Sequence, residues 1–203
     1  MDAVRVALLR EALAGTEWLQ ATRRFAGALR TSVEAHGGGL LLVGTAEYEP
    51  WHLAAHLDDE AAWSGLPELS PTLVRHRVPS GAPTHLSVGL SRLEAARRGE
   101  TLLVVAEERP GEGLLERVHD ARRGGVTVLA LDGAPCATRA DLHALAHDAL
   151  SVPAAAELDL DTVQHLVSAA AGETPRPAPR GRRFRDRLSR LAEHLAAPPP
   201  TRW

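Results

Sequence analysis

The sequence predicts an α/β protein of three layers (αβα), in which a doubly wound, five-stranded parallel sheet lies between two layers of helices. Short apolar runs bounded by glycine alternate with longer stretches whose apolar side chains recur at helical spacing. This alternation is typical of a parallel sheet whose strands are buried on both faces. Because crossover connections are right-handed, we expect a doubly wound sheet with helices on both faces. The strand order we expect for it is the flavodoxin-like 2-1-3-4-5.

Periodicity and turn residues place each element. Two N-terminal helices, over 3–13 and 16–36, precede the first strand, and the glycines of "HGGG" (36–39) end the second of them. The predicted strands are 40–43, 70–78, 101–106, 126–131 and 150–153. The helices predicted after the first strand are 49–63, 84–99, 113–124, 138–149 and 158–171.

The chain divides into three parts by composition. Residues 1–172 form the predicted α/β domain, and 173–181 form a Pro-rich linker, since "TPRPAPRG" cannot continue a helix or a central strand. In residues 182–203, apolar side chains recur at spacings of four, three and four with Arg on the other faces, which predicts an extra C-terminal amphipathic helix and a tail. We expect 182–197 to pack on a protein partner or on the domain itself.

Charge follows the same division. Residues 173–203 contain eight Arg and three acidic residues, a net charge of +5, so the remainder of the −3 total leaves −8 on residues 1–172. An acidic domain of this kind is not expected to bind nucleic acid.

The single Cys136 excludes an internal disulfide and a thiolate metal cluster. Without an apolar run of about 18 residues or a signal-peptide pattern, we expect a soluble cytoplasmic protein with no membrane contact.

Two loops mark the expected binding crevice. In doubly wound sheets, ligands bind beyond the carboxyl ends of the strands, where the winding reverses. For the order 2-1-3-4-5 these loops are "GTAEYEPW" (44–51) and "AEERPGEG" (106–113). The second loop leads into a helix, where a phosphate commonly binds, yet it contains Glu107, Glu108 and Glu112 and no Ser, Thr or Lys.

The order of elements resembles the SIS (sugar isomerase) domain family, nearest its phosphoheptose isomerase branch. The resemblance covers roughly residues 16–171. It is carried by "AHGGGLLLVG", "WHLAAHL", "LLVVAEERPGEGLLERVHDARRGGVTVLALDG" and "ALAHDALSVP", the last followed by a helix that contains His165. It implies binding of a sugar phosphate or another carbohydrate derivative between subunits, and therefore a homodimer or homotetramer.

Both crevice loops depart from the family pattern. Where the family has a "GNGGS"-like loop, Gly44 is retained but the glycine pair becomes Ala46 and Glu47. The "STSG"-like loop becomes residues 106–109, so its hydroxyl groups are lost and two carboxylates would repel a phosphate. The carboxylates could instead cap the following helix. The positive charge of Arg109 could compensate for part of their negative charge, so phosphate stays a possible ligand. The predicted ligand-binding residues are Gly44, Thr45, Glu47, Tyr48, Trp51, Glu107, Glu108, Arg109 and Gly111.

The resemblance also bears on catalysis. The branch uses a His and a Glu on the second helix and a Gln and a His on the last helix, in some members with zinc. Here His52 matches the first, and His56 stands in place of the Glu. Thr162 and Ala169 stand in place of the last-helix pair, which argues against isomerase activity, although His165 matches another family His one turn earlier. His56 and His165 are therefore the candidate catalytic residues if any activity is retained.

A zinc site is an alternative use of the same histidines. His52 and His56 are four residues apart on one predicted helix, so both can face one ion. His165 could approach from the last helix, either of the same chain or of a partner subunit. The other interpretation is that these are partly buried histidines at a subunit interface. His143 and His147 have the same spacing but lie away from the crevice, and we expect them on the surface.

Three functional hypotheses follow. The first is a SIS-fold protein that binds a carbohydrate derivative without isomerase activity and without a cofactor. The second is a diverged, metal-dependent sugar-phosphate (aldose-ketose) isomerase that uses His52, His56 and His165. The third is a non-catalytic scaffold or regulator that acts through the basic tail.

Overall fold

The computed structural model describes residues 17–133, 140–152 and 158–173. The predicted helix over 3–13, the Pro-rich linker after Glu173 and the basic tail lie outside these ranges, and the division of the chain into three parts stays a prediction. No helix in the described ranges is both long and apolar enough to cross a membrane.

The sheet confirms the predicted architecture. It has five strands, every pair of neighbours is parallel, and the order is β2-β1-β3-β4-β5. The strands are β1 Leu40–Val43, β2 Pro71–Val74, β3 Thr101–Ala106, β4 Thr127–Asp132 and β5 Asp148–Ser151. The α-helices are α1 Glu17–His36, α2 Trp51–Ser64, α3 Ser91–Glu94, α4 Glu112–Arg123, α5 Ala140–Leu145 and α6 Leu160–Ala171. Short 3-10 turns cover Pro67–Leu69 and Thr84–Leu86.

Two apolar layers hold the sheet between its helices. Alternate residues of β1 point to opposite faces, so Leu40 and Leu42 pack against α1, α2 and α6, whereas Leu41 and Val43 pack against α3, α4 and α5. All of these side chains are almost completely buried. Burial on both faces explains why the strands read as continuous apolar runs in the sequence.

The predicted helix over 84–99 is wrong, and the predicted strand over 70–78 is too long. The chain after β2 makes a single bridge, in which the Arg75 amide donates to the Val88 carbonyl at 2.9 Å and Arg75 pairs with Gly89. This pairing keeps 88–89 beside the edge strand, and only the four-residue α3 becomes α-helical. Tertiary pairing therefore overrides the local helical periodicity.

The predicted helix over 138–149 is also too long, and the predicted strand over 150–153 begins too late. Residues 138–139 are outside the described ranges, and α5 ends at Leu145. The His147 amide then donates to the Val128 carbonyl at 2.7 Å, and β5 begins at Asp148 alongside β4. Hydrogen bonds to the neighbouring strand thus place in a strand residues whose apolar spacing alone predicts a helix.

The glycines before β1 are required by a close approach of two backbones. A Cβ atom on Gly38 would collide with the carbonyl group of Gly99, in the turn that enters β3. Gly38 therefore lets the turn after α1 lie directly against the turn before β3, at the amino end of two neighbouring strands.

Gly38→Ala is expected to lower the free energy of unfolding by about 1–3 kcal/mol, because the added methyl group has to displace backbone. Gly27→Ala is the matched control: Gly27 is exposed inside α1 with open space around its Cα, so alanine should stabilise the helix by about 0.5–1 kcal/mol. Urea unfolding of both variants measures the two changes. Equal stability of Gly38→Ala and the wild type would contradict this role of Gly38.

Candidate ligand site

The candidate crevice lies at the carboxyl ends of β1 and β3, which are paired at the middle of the sheet. The loop after β1 folds back tightly, since a Cβ atom on Gly44 would collide with the Tyr48 carbonyl. Thr45 is buried, and its Oγ1 accepts from the Tyr48 amide at 3.2 Å. The same hydroxyl donates a long bond, 3.5 Å, to Glu108 Oε1 in the loop after β3. The two predicted loops therefore touch.

A polar network connects the first loop to α6. The hydroxyl group of Tyr48 donates to Asp161 Oδ1 at 3.1 Å. Nε2 of Gln164 donates to the Tyr48 oxygen at 2.8 Å and to Asp161 Oδ1 at 3.1 Å. Burial raises the pKa of Tyr48 to about 12, and the negative charge of Asp161 adds to this effect while the Gln164 hydrogen bond opposes it.

Asp161 and Gln164 are absent from the site residues expected from the sequence. The sequence contains a pattern that indicates them. Polar residues recur on one side of an otherwise apolar helix, at spacings of three, one and three: Asp161, Gln164, His165 and Ser168. Of these, the last three are buried. Asp159 fixes where this helix begins, since its carboxylate accepts the Thr162 amide at 2.7 Å.

The loop after β3 is acidic and exposed. Partial burial raises the pKa of Glu107, and the negative charges of Asp161 and Glu108 raise it further, which places these carboxylates in one electrostatic neighbourhood. The expected cap on the following helix is not formed: Gly111 is the N-cap of α4, and the hydrogen bond described for Glu108 is the one from Thr45. The guanidinium of Arg109 pairs with Asp141 at 3.0 Å on the protein surface.

Trp51 lies at the margin of the crevice as the first residue of α2. Its indole N–H donates to Glu49 Oε2 at 2.9 Å, and the guanidinium of Arg75 lies 4.9 Å from the ring centre. Arg75 also pairs with Glu49 at 3.1 Å. The aromatic ring is 40% exposed, so part of it is accessible from solvent, while Arg75 is held by a carboxylate of its own. Glu47 and Gly111 are exposed.

The structure brings together the three predicted metal ligands. The ring centres of His56 and His165 are 4.3 Å apart, and that of His52 lies 5.5 and 5.2 Å from them. One ring nitrogen from each residue can be chosen so that all three lie within 4.8 Å of one another. His52 and His56 come from successive turns of α2, and His165 comes from α6, which packs beside it.

His165 is buried, with 6% of the residue exposed. Burial, followed by the neighbouring imidazole of His56, lowers the pKa of His165 to about 4. Burial also lowers the pKa of His56, with His52 adding to the effect. The ring of His165 meets these two imidazoles edge to face. It makes no hydrogen bond to another residue in the described ranges. With this pKa the imidazole of His165 is neutral at pH 7, and one of its two ring nitrogens can accept a hydrogen bond or bind a metal.

The expectation that His143 and His147 are simple surface residues is wrong for His143. Its Nε2 lies 2.6 Å from Asp132 Oδ2 at the end of β4, and Ser151 Oγ donates to the same carboxylate oxygen at 2.9 Å. His147 is exposed, but its Nδ1 accepts from the Val128 amide at 2.9 Å. Both histidines thus bond to β4. The expectation that His143 lies away from the crevice is also wrong, because Asp132 is paired with Ala106 at the carboxyl end of β3, where the crevice loop begins.

No protein-family model and no curated protein matches this chain. Among solved structures, the chain is similar to the sugar isomerase domain of an RpiR transcription factor from Sphaerobacter thermophilus, with 18% identity and a TM-score of 0.45 over 84% of this chain and 87% of that one. A protein of Salmonella typhimurium LT2, assigned provisionally to sugar binding, has 15% identity and a TM-score of 0.46 over 87% of this chain and 53% of that one.

The Vibrio vulnificus NanR protein, complexed with ManNAc-6P, has 12% identity and a TM-score of 0.47 over 96% of this chain and 73% of that one. Similarity at this level concerns the arrangement of strands and helices and says nothing about the ligand of this chain. The three-layer αβα architecture and the strand order expected from the sequence are confirmed by the sheet itself. The narrower resemblance to phosphoheptose isomerases has no counterpart among these structures.

The phenol of Tyr48, the only tyrosine in the chain, should ionise near pH 12 rather than near its ordinary value of 10. Asp161→Asn should move the midpoint back toward 10, since it removes a negative charge next to the phenolate. Asp59→Asn, an exposed acid on α2, is the control and should leave the midpoint unchanged. Ultraviolet absorbance of the phenolate during an alkaline titration measures all three. A wild-type midpoint at 10 would rule out the described network.

Proposed function

We propose that this SIS-type domain binds a carbohydrate derivative in the crevice between the loops after β1 and β3, and that it lacks isomerase activity. The observation that carries the proposal is the network of Tyr48, Asp161 and Gln164 beside the buried imidazole of His165. Sugars present several hydroxyl groups that both donate and accept. A few converging polar side chains of mixed donor and acceptor character suit such a ligand.

The acid–base properties of the site support binding over isomerisation. Moving a proton between adjacent carbons needs a general base whose pKa lies near the working pH. The pKa of His165 is about 4, which makes it a weak base, and the pKa of Tyr48 is about 12, which keeps the phenol protonated. Thr162 and Ala169, at the positions of the family's last-helix pair, cannot supply a base.

Binding can be tested by thermal melts and calorimetric titration against neutral sugars, amino sugars and sugar phosphates. A ligand at a hundred times its dissociation constant adds about 2.7 kcal/mol, a shift of roughly 5–10 °C for a chain of this length. Tyr48→Phe should weaken binding by about fivefold to tenfold through loss of one hydrogen-bonding group. Trp63→Phe, an exposed residue at the far end of α2, should leave binding unchanged. The absence of binding by every sugar class would refute the proposal.

A metal-dependent isomerase is the second candidate, favoured by the convergence of His52, His56 and His165. Neutral imidazole is a good zinc ligand, and the low pKa of His165 means that protons compete little with the metal. Nitrogen ligands of a tetrahedral zinc, with bonds of about 2.0–2.1 Å, lie about 3.3 Å apart. Ring rotations that draw the nitrogens together would therefore be needed. A bound ion would polarise a sugar carbonyl as a Lewis acid.

The metal candidate predicts one bound zinc or cobalt(II) ion per chain, measured by calorimetry and by the visible absorbance of cobalt(II). His165→Ala should reduce the affinity by at least about tenfold, since even the loss of groups that only orient metal ligands costs 10–100-fold. His119→Ala, an exposed histidine on α4, is the matched control. Equal affinity of these two variants would exclude the three-histidine site.

The assembly and the tail stay proposals from the sequence. A homodimer or homotetramer follows only from the resemblance to SIS domains. Residues 182–197, the segment expected to bind a protein partner, lie outside the described ranges, and the scaffold hypothesis stays a prediction.

A further inference from the structure

We infer that His52, His56 and His165 bind a divalent transition-metal ion, and that this ion raises the affinity of the crevice for its carbohydrate by fixing α2 against α6. The metal site stands on the arrangement of the three imidazoles. The effect on carbohydrate affinity rests on the proposed function, because it concerns the same crevice. The ion takes no part in a reaction, which distinguishes its role from that of the metal in the isomerase hypothesis.

The three imidazoles face one another without hydrogen bonds. The ring centre of His165 lies 4.3 Å from that of His56 and 5.2 Å from that of His52. None of the three rings makes a hydrogen bond to another residue within 17–133, 140–152 and 158–173. Buried polar groups without a partner are rare and call for an explanation, and His165 is more than nine-tenths buried. An ion bound by one nitrogen of each ring satisfies all three.

The donor set favours zinc or a similar transition metal, since imidazole suits these ions whereas magnesium and calcium prefer oxygen ligands. Burial lowers the pKa of both His165 and His56, so protons compete little with the ion at pH 7. The ring nitrogens lie within 4.8 Å of one another, and a tetrahedral ion would draw them to about 3.3 Å, leaving one position for water. Metal binding would therefore hold α2 to α6.

The amino end of α2 lacks the kind of cap that fixes α6. Asp159 caps α6 with its carboxylate. The N-cap of α2 is Pro50, which provides no side-chain hydrogen bond, and the first turn of this helix contains no acidic residue. His52 lies in that first turn and His56 in the next. An ion that joins them to His165 would fix the uncapped end of one helix against the other.

The same two elements position the polar network of the crevice. Tyr48 precedes the N-cap of α2 by two residues, and its hydroxyl group donates to Asp161 of α6 at 3.1 Å. Gln164, which donates to the Tyr48 oxygen at 2.8 Å, is the residue before His165. Fixing α2 against α6 therefore also fixes Tyr48 against Asp161 and Gln164. A site that is held in its binding geometry before the ligand arrives loses less conformational entropy and binds more tightly.

Calorimetry measures the coupling on the full-length protein in two states, loaded with one equivalent of zinc, or stripped with a chelator and dialysed. The sugar probes are glucose, galactose and mannose, with their 2-amino and 6-phosphate derivatives. We expect a sugar that binds to do so about fivefold or more tightly in the zinc-loaded state. Zinc should bind more tightly by the same factor when that sugar is present, because coupling between two sites is reciprocal.

His52→Ala removes the exposed ligand of the three and leaves the apolar core intact. The affinity for zinc should fall by at least about tenfold. At a zinc concentration that saturates only the wild type, the sugar affinity of this variant should not respond to zinc. His119→Ala, an exposed histidine on α4, is the matched control and should retain both the zinc affinity and the coupling.

Hydrogen exchange tests the fixing of α2 without any sugar. Zinc should slow amide exchange in residues 44–57 and 160–168 of the wild type and of His119→Ala, but not of His52→Ala. Helix α4 is the internal reference, and its amides should exchange at an unchanged rate.

The outcomes separate this inference from the proposed function. Absence of zinc binding, unchanged exchange in residues 44–57, or equal sugar affinity in the two states would overturn the inference and leave carbohydrate binding intact. A new ligand on the ion when sugar is added, seen as a shift of the cobalt(II) absorbance band, would overturn the positioning role. Failure of every sugar to bind would refute the proposed function and the coupling, whereas zinc binding and slowed exchange would still establish the metal site.

Discussion

The parallel pairing of β1 with β3 at the middle of the sheet is the constraint on which the other features depend. The register from Leu40 with Thr101 to Val43 with Val104 brings two loops distant in sequence side by side at the carboxyl edge. At the amino edge, the same pairing forces the backbones of Gly38 and Gly99 together. Because β1 and β3 are buried on both faces, a one-residue change in register would exchange side chains between two closely packed layers and disrupt the packing of both.

Helix α6 supplies the polar side chains that contact the β1 loop and α2. Its beginning is fixed by the Asp159 cap, and its end is held by the buried Arg30, whose guanidinium donates to the Ala171 carbonyl at 3.0 Å. Between these two points, its polar side presents Asp161, Gln164 and His165 to residues of the β1 loop and α2. A helix held at both ends can keep these side chains in place on a crevice that is otherwise formed by loops.

The electrostatic properties of the crevice follow from the burial of its polar groups and from its carboxylates. Burial lowers the pKa of His165 to about 4 and raises the pKa of Tyr48 to about 12. Partial burial and the neighbouring carboxylates raise the pKa of Glu107. The nearby arginines are paired with Asp141 and Glu49. The loop that leads into α4 is thus acidic, and the arginines near it are paired with carboxylates.

Apolar periodicity in the sequence was sufficient for the fold class and most element bounds, because burial of each strand on both faces determines its residue types. The strand order and the approach of His165 to His52 and His56 were expected from the resemblance to SIS domains, together with the helical spacing of the two histidines on α2. Only the tertiary structure decided that residues 84–99 are not one helix, that Arg109 pairs with Asp141, and that Asp161 and Gln164 form hydrogen bonds with Tyr48. Each of these depends on a hydrogen bond or ion pair between residues far apart in the chain or on adjacent elements, and such pairings leave no local pattern in the sequence.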